Sequence, residues 1–151
     1  MRQLSRRAAL ALGAGGAALS VFGWGGRAQA AAKEAAEQIA KFTGGKTAAP
    51  GKISIELPEI AENGNTVPLS VAVDAPMTAD NYVSEVLVVA EGNPNPGVAT
   101  FHFSPLSGKA EASTRIRLGG TGNVTVVAKT STGKLYADRK AVKVTVGGCG
   151  G

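Results

Sequence analysis

The stretch Leu69-Ser70-Val71-Ala72-Val73-Asp74 indicates which class of fold this chain adopts. Its large apolar residues alternate with smaller or polar ones, and a period of two is typical of a strand with one buried face. The stretch Ser113-Thr114-Arg115-Ile116-Arg117-Leu118 has the same period, with two arginines on its polar face. Residues 86–90 (VLVVA) are instead apolar without interruption. Such a run predicts a central strand that is covered on both faces.

Short strands of this kind are predicted along most of the chain, about seven in all, with turn signals roughly every 8–15 residues. No helices alternate with them, so a parallel sheet made of β-α-β units is not expected. The pattern predicts a mainly β protein, an immunoglobulin-like antiparallel β-sandwich with a short N-terminal helix and a flexible C-terminal tail. The predicted strands are residues 53–57, 69–74, 86–90, 100–104, 113–118, 124–128 and 142–146, and the main turns are at 63–65, 107–108, 119–123 and 131–133.

The N-terminal residues have the pattern of a targeting segment. The pair Arg6-Arg7 stands directly before an apolar, glycine- and alanine-rich run over residues 8–24, and Ala28-Gln29-Ala30 matches an A-x-A cleavage sequence. Paired arginines before a modest apolar run are similar to a bacterial twin-arginine signal. We predict that residues 1–30 are removed near Ala30 and that the mature protein resides in the periplasm. A membrane anchor is the alternative, which the glycines and the cleavable flank disfavour.

Residues 31–42 (AAKEAAEQIAKF) place small and apolar residues at helical spacing, and Gly44-Gly45 follows them. They predict a short amphipathic helix, which docks either on its own domain or on a partner. The predicted layout is a signal at 1–30, a helix at 31–45, a β-sandwich at 46–146 and a flexible arm at 147–151.

The basic character of the chain belongs mostly to the predicted signal. Of 16 basic residues, four lie in residues 1–30, which leaves 12 against 11 acidic residues and a net charge near +1. The mature chain therefore has no electrostatic feature that would favour a nucleic acid partner.

The last five residues, Gly147-Gly148-Cys149-Gly150-Gly151, contain the only cysteine. In an exported protein a single cysteine either pairs between molecules or is a reactive thiol. Its glycine neighbours predict a flexible tether, which spans at most roughly 17 Å at about 3.3–3.6 Å per residue. One cysteine and one histidine are too few ligands to close a zinc site, and nothing in the sequence predicts a bound cofactor.

The chain lacks the features that would make it an enzyme. Catalytic cysteines are activated by a histidine, a helix N-terminus or a nearby cation, and the tail supplies none of these. The only histidine, His102, alternates with Phe101 and Phe103 and is predicted to be an ordinary strand residue. Residues 119–123 predict a hairpin turn rather than a phosphate-binding loop, since no helix follows them. Arg115 and Arg117 are predicted to be solvated.

Several stretches together resemble one known family, SoxY of the bacterial thiosulfate-oxidising Sox system. The resemblance covers essentially the whole chain, and the terminal GGCGG is its most specific part. It is carried by residues 57–68 (LPEIAENGNTVP), 98–105 (VATFHFSP), 112–118 (ASTRIRL) and 144–151 (VTVGGCGG).

The resemblance implies a carrier that is itself a substrate of other enzymes. It implies that Cys149 is the covalent attachment site and that Gly147, Gly148, Gly150 and Gly151 form a flexible arm. A SoxZ-like subunit is the implied heterodimer partner. The implied enzymes are a haem c thiosulfate-coupling enzyme, a manganese-dependent sulfate thiohydrolase and a sulfane dehydrogenase.

Two other functions are compatible with the residues. An exported interaction module could use Cys149 for an intermolecular disulfide. A ubiquitin-like carrier could be activated at Gly150-Gly151 as a thiocarboxylate, although the export signal argues against cytosolic activation.

Overall fold

The computed structural model describes residues 26–149. The predictions that concern Arg6, Arg7, Gly150 and Gly151 lie outside these residues. The described part has one helix, eight strands and a short 3-10 turn at Pro105–Ser107. The elements are α1 (Gly26–Thr43), β1 (Ile53–Glu56), β2 (Ile60–Asn63), β3 (Val67–Val73), β4 (Val83–Ala90), β5 (Gly97–His102), β6 (Ala110–Ile116), β7 (Gly122–Thr130) and β8 (Leu135–Val146).

The strands form two sheets, with the orders β1-β3-β6 and β2-β8-β7-β4-β5. Neighbouring strands are antiparallel except for β2 and β8, which are parallel. The predicted immunoglobulin-like sandwich is confirmed, with β2 as an additional strand. Alternation could not reveal β2, because only Ala61 among its four residues is buried. The hairpin predicted at residues 119–123 is wrong, since this segment passes from β6 in one sheet to β7 in the other.

Valine is the commonest residue of the core between the sheets, and its side chain suits a pleated and closely packed surface. Val71 on β3, Val88 on β4 and Val126 on β7 are among the residues buried there. Val89 and Val127 are also fully buried but lie outside this cluster. Strand alternation directs them to the opposite face of the five-stranded sheet, where α1 packs on β4. Strand β4 is therefore covered on both faces, as its continuous apolar run predicts.

Helix α1 begins at Gly26, five residues before the predicted start at residue 31, and so continues through the predicted cleavage site at Ala30. It docks on its own domain, since Ala35 and Thr43 are buried and the helix contacts β4. Gly44 and Gly45 end it with positive φ angles of 63° and 76°, a conformation that glycine adopts without steric cost. Over residues 26–149, no helix combines the length and the apolar character needed to span a bilayer.

Strand β8 is longer than predicted and leads directly to the tail. It has 12 residues, whereas the sequence pattern revealed only residues 142–146. Its first half lacks alternation, and it is held by pairing with β7 and by bridges to Ala49. Its last residue, Val146, lies beside Asn63 at the end of β2. The chain after β8 therefore emerges next to the turn that follows β2.

Candidate functional site: the C-terminal cysteine and its cradle

Cys149 is a free, exposed thiol just beyond the last strand. Its backbone and that of Gly148 lie against two turns, one after β2 and one after β6. We call the four residues Gly64, Asn65, Leu118 and Gly119 of these turns the cradle. The amide of Gly148 donates to the Leu118 carbonyl at 2.9 Å, and the amide of Cys149 donates to Asn65 Oδ1 at 3.1 Å.

The two turns of the cradle are bonded to each other and to β8. The Leu118 amide donates to the Gly64 carbonyl at 2.8 Å, and the Gly64 amide donates to the Val146 carbonyl at 2.7 Å. Both backbone groups of Gly64 are therefore hydrogen-bonded without any contribution from the tail residues 147–149. The cradle is a continuation of the β2-β8 pairing rather than a separate loop structure.

Close backbone contact explains several of the glycines here. A Cβ on Gly148 would lie 2.6 Å from the Gly64 carbonyl oxygen, and one on Gly147 would collide with the Gly119 carbonyl oxygen. Neither residue has a positive φ angle. Space, and not an unusual backbone conformation, is what requires glycine at these two positions.

Asn65 is aimed at the tail by its neighbour Asn63. Asn63 Oδ1 accepts from the backbone amide of Asn65 at 3.0 Å and from its side-chain nitrogen at 3.1 Å. With the nitrogen engaged there, the oxygen of the Asn65 amide is left to accept from Cys149. The turn signal at residues 63–65 was visible in the sequence, but its use as a docking point was not.

Among the described residues, two hydrogen bonds hold the tail in the cradle. A hydrogen bond contributes about 0.5–1.5 kcal/mol net, so the two bonds to Gly148 and Cys149 contribute about 1–3 kcal/mol. If these two bonds alone held the tail, the undocked fraction would be about one sixth to about one part in 160. The sequence predicts only flexibility at Gly147 and Gly148, whereas the structure packs both residues closely against the backbone of the cradle. The swinging of the arm stays a prediction.

Among the described residues, the other side chains considered from sequence form no hydrogen bond or ion pair with Cys149. His102 Nδ1 lies 3.5 Å from Glu85 Oε1, and this pair of an exposed histidine and a half-buried glutamate lies in the half of the β4-β5 ladder remote from the tail. Arg115 Nη1 donates to Thr66 Oγ1 at 3.3 Å, one residue beyond Asn65, and Arg117 is exposed. Within residues 26–149, no three His, Cys, Asp or Glu side chains come together as a metal site.

The matched family model is described as "Sulfur oxidation protein SoxY", and it covers residues 39–149, which is more than half of the chain and ends at Cys149. The chain belongs to the SoxY family. The predicted family is therefore confirmed, and so is the place of the chain among sulfur oxidation proteins.

Solved structures agree with membership of the SoxY family. The sulfur carrier protein SoxY from Chlorobium limicola f thiosulfatophilum is 34% identical, with 76% of this chain and 99% of that chain covered and a TM-score of 0.59. A superoxide reductase (neelaredoxin) from Ignicoccus hospitalis is 22% identical over 62% of this chain and 80% of that chain, with a TM-score of 0.56. The second likeness concerns the fold alone. No curated protein matches the chain.

Proposed function

We propose that this SoxY-family chain is a periplasmic covalent carrier of sulfur in thiosulfate oxidation, with Cys149 as the attachment site. The observation that carries the proposal is the position of the sulfur. The only cysteine of the sequence is free and exposed, three residues beyond the end of β8, and is flanked by glycines. A thiol in this position can enter a cleft of another protein without unfolding the sandwich.

The proposed cycle begins with oxidative coupling. The thiol of Cys149 and thiosulfate form an S–S bond, the thiol proton is released, and two electrons pass to a haem c partner enzyme. The product is cysteine S-thiosulfonate. Water then cleaves the terminal sulfonate as sulfate on a manganese-dependent thiohydrolase, which leaves a persulfide on Cys149.

The second half of the cycle returns the thiol. A sulfane dehydrogenase oxidises the outer persulfide sulfur to a sulfonate, with three waters supplying oxygen and six electrons leaving to the enzyme. A second hydrolysis releases sulfate and restores the thiol. Each reaction is catalysed by a partner, and the chain contributes the attachment point and the arm formed by its terminal glycines.

The proposed assembly and location follow the same argument. A SoxZ-like subunit forms a heterodimer with this chain, and the Arg6-Arg7 signal directs export with cleavage near Ala30. The main alternative is an exported module that uses Cys149 for an intermolecular disulfide, because a free and exposed thiol also suits that role.

Intact-mass spectrometry of protein isolated from thiosulfate-grown cells separates the two functions, with cells grown without thiosulfate as the control. We expect thiosulfonate or persulfide adducts that disappear in Cys149→Ala. A Cys149-linked dimer as the only modified species would overturn the carrier function and favour the disulfide module. An adduct that persists in Cys149→Ala would move the attachment site elsewhere.

A further inference from the structure

Asn93 is a buried polar residue that is connected to the tail through the backbone. It lies in the loop between β4 and β5 and is 2% exposed. Its Nδ2 donates to the Arg117 carbonyl at 2.9 Å, and its Oδ1 accepts from the Gly119 amide at 2.7 Å. Both ends of the buried amide are therefore used to hold the turn after β6, and a fully satisfied buried amide of this kind is strongly orienting.

The residue between these two anchors is Leu118, and its backbone faces the tail. Its carbonyl accepts from Gly148, and its amide donates to Gly64. Its side chain is buried in the core between the sheets. Asn93 holds the two peptide groups on either side of Leu118, through the Arg117 carbonyl and the Gly119 amide. These peptides set the direction of the Leu118 carbonyl, which in turn sets the position of Gly148.

We propose that Asn93 is a positioning residue for the carrier cysteine. By fixing the turn at residues 117–119, it keeps the root of the arm at Gly148 in the cradle, so that Cys149 rests beside Asn65 until a partner draws it out. In the resting protein the arm is then held in the cradle as far as the Cys149 amide, instead of being free from Gly147 onward. This proposal rests on the carrier function proposed above and adds the residue that sets the resting position of the arm.

Thr130 offers a matched control. It is also buried, at 3% exposed, and it also fixes a turn, since its hydroxyl accepts from the Lys134 amide at 3.0 Å. This turn joins β7 to β8 at the end of the sheet opposite to the tail. Asn93→Ala and Thr130→Ala both remove a buried polar contact that holds a turn, but only Asn93 is linked to Gly148.

The test uses the single cysteine. A nitroxide attached to Cys149 reports only the arm, and the hydrogen bonds of the arm are made by backbone amides, which labelling leaves in place. Electron paramagnetic resonance spectra are recorded for the wild type, Asn93→Ala and Thr130→Ala, each as isolated and with any bound partner subunit retained. We expect a slow component in the wild type and in Thr130→Ala, and a decrease of that component by at least about threefold in Asn93→Ala.

A second measurement needs no variant. Solvent exchange of the Gly119 and Gly148 amides, measured by NMR on the wild type, should be slowed at least about fivefold relative to an unstructured peptide. The Gly119 amide is bonded to Asn93 and the Gly148 amide to Leu118. An unprotected Gly148 amide, or the same slow component in Asn93→Ala as in Thr130→Ala, would overturn the proposal. Both measurements are made without thiosulfate, so the absence of sulfur adducts in cells would refute the carrier function and leave these results unchanged.

Discussion

Gly64 and Gly148 pack backbone against backbone, so that a Cβ on Gly148 would lie 2.6 Å from the Gly64 carbonyl oxygen. A Cβ on Gly64 would lie 2.7 Å from the Gly148 amide nitrogen and would also collide with the Leu118 carbonyl oxygen. The two glycines are 84 positions apart in the sequence and meet only because β2 and β8 are neighbours.

Gly64→Ala should destabilise the fold. The added methyl group meets backbone on two sides, and overpacking of this kind typically costs about 1–3 kcal/mol. We expect a decrease in Tm of about 4 °C or more by calorimetry. Gly120→Ala is the control, since a Cβ there would meet only the Gly92 carbonyl oxygen at 3.4 Å. Equal Tm values for the two variants would contradict the close contact.

Cys149→Ala should leave Tm nearly unchanged while it abolishes sulfur loading. The thiol is exposed, and the hydrogen bond of Cys149 to Asn65 is made by the backbone amide, which alanine retains. Thermal unfolding of the variant and the wild type checks the first part, and mass spectrometry after growth on thiosulfate checks the second. A loss of several degrees would mean that the sulfur itself packs in the fold.

Asn65→Ala should loosen the end of the arm without affecting the sandwich. The variant removes the acceptor for the Cys149 amide, a hydrogen bond that contributes about 0.5–1.5 kcal/mol, so solvent exchange of this amide should accelerate about 2–10-fold. NMR exchange rates provide the measurement. Asn95→Ala, an exposed asparagine in another loop, is the control. Unchanged exchange in Asn65→Ala would show that the docked position does not depend on this side chain.

Replacing Arg6 and Arg7 together by lysine should block export. A twin-arginine signal depends on the pair, so we expect an unprocessed chain in the cytoplasmic fraction, detected by intact mass. Arg27→Lys changes a basic residue of the same segment outside the pair and should be exported and cleaved near Ala30. A mature-length double variant in the periplasm is the result that would refute the predicted route.

The sequence predicts those strands of the fold whose own residues show a clear hydrophobic pattern. Strand β3 alternates, and β4 is apolar throughout, so their existence and burial follow from local composition. Strand β2 and the first half of β8 have no such pattern, because their pairing is decided by neighbours that are distant in the sequence. The helix of the described chain begins at Gly26, whereas the sequence predicts it only from residue 31, because the A-x-A pattern at residues 28–30 predicts a cleavage site.

The candidate site likewise has a part that the sequence predicts and a part that it does not. Cys149 can be proposed from the sequence alone, because the proposal depends only on this residue and its flanking glycines. The cradle could not be found, since Asn65 meets Cys149 across 84 positions and Asn93 meets Gly119 across 26. The sequence predicts only a turn at residues 63–65 and gives no signal that Asn93 is buried.

In the part of the arm that the structure describes, up to Cys149, the hydrogen bonds to the cradle are donated by the main-chain nitrogens of Gly148 and Cys149, and none involves the sulfur. A sulfur group bound to the Cys149 thiol therefore leaves these two hydrogen-bond donors in place. For the proposed carrier it follows that the docked position of the arm does not depend on the oxidation state of the sulfur. The enzymes that receive the arm must then distinguish a Cys149 that holds a sulfur group from a free thiol.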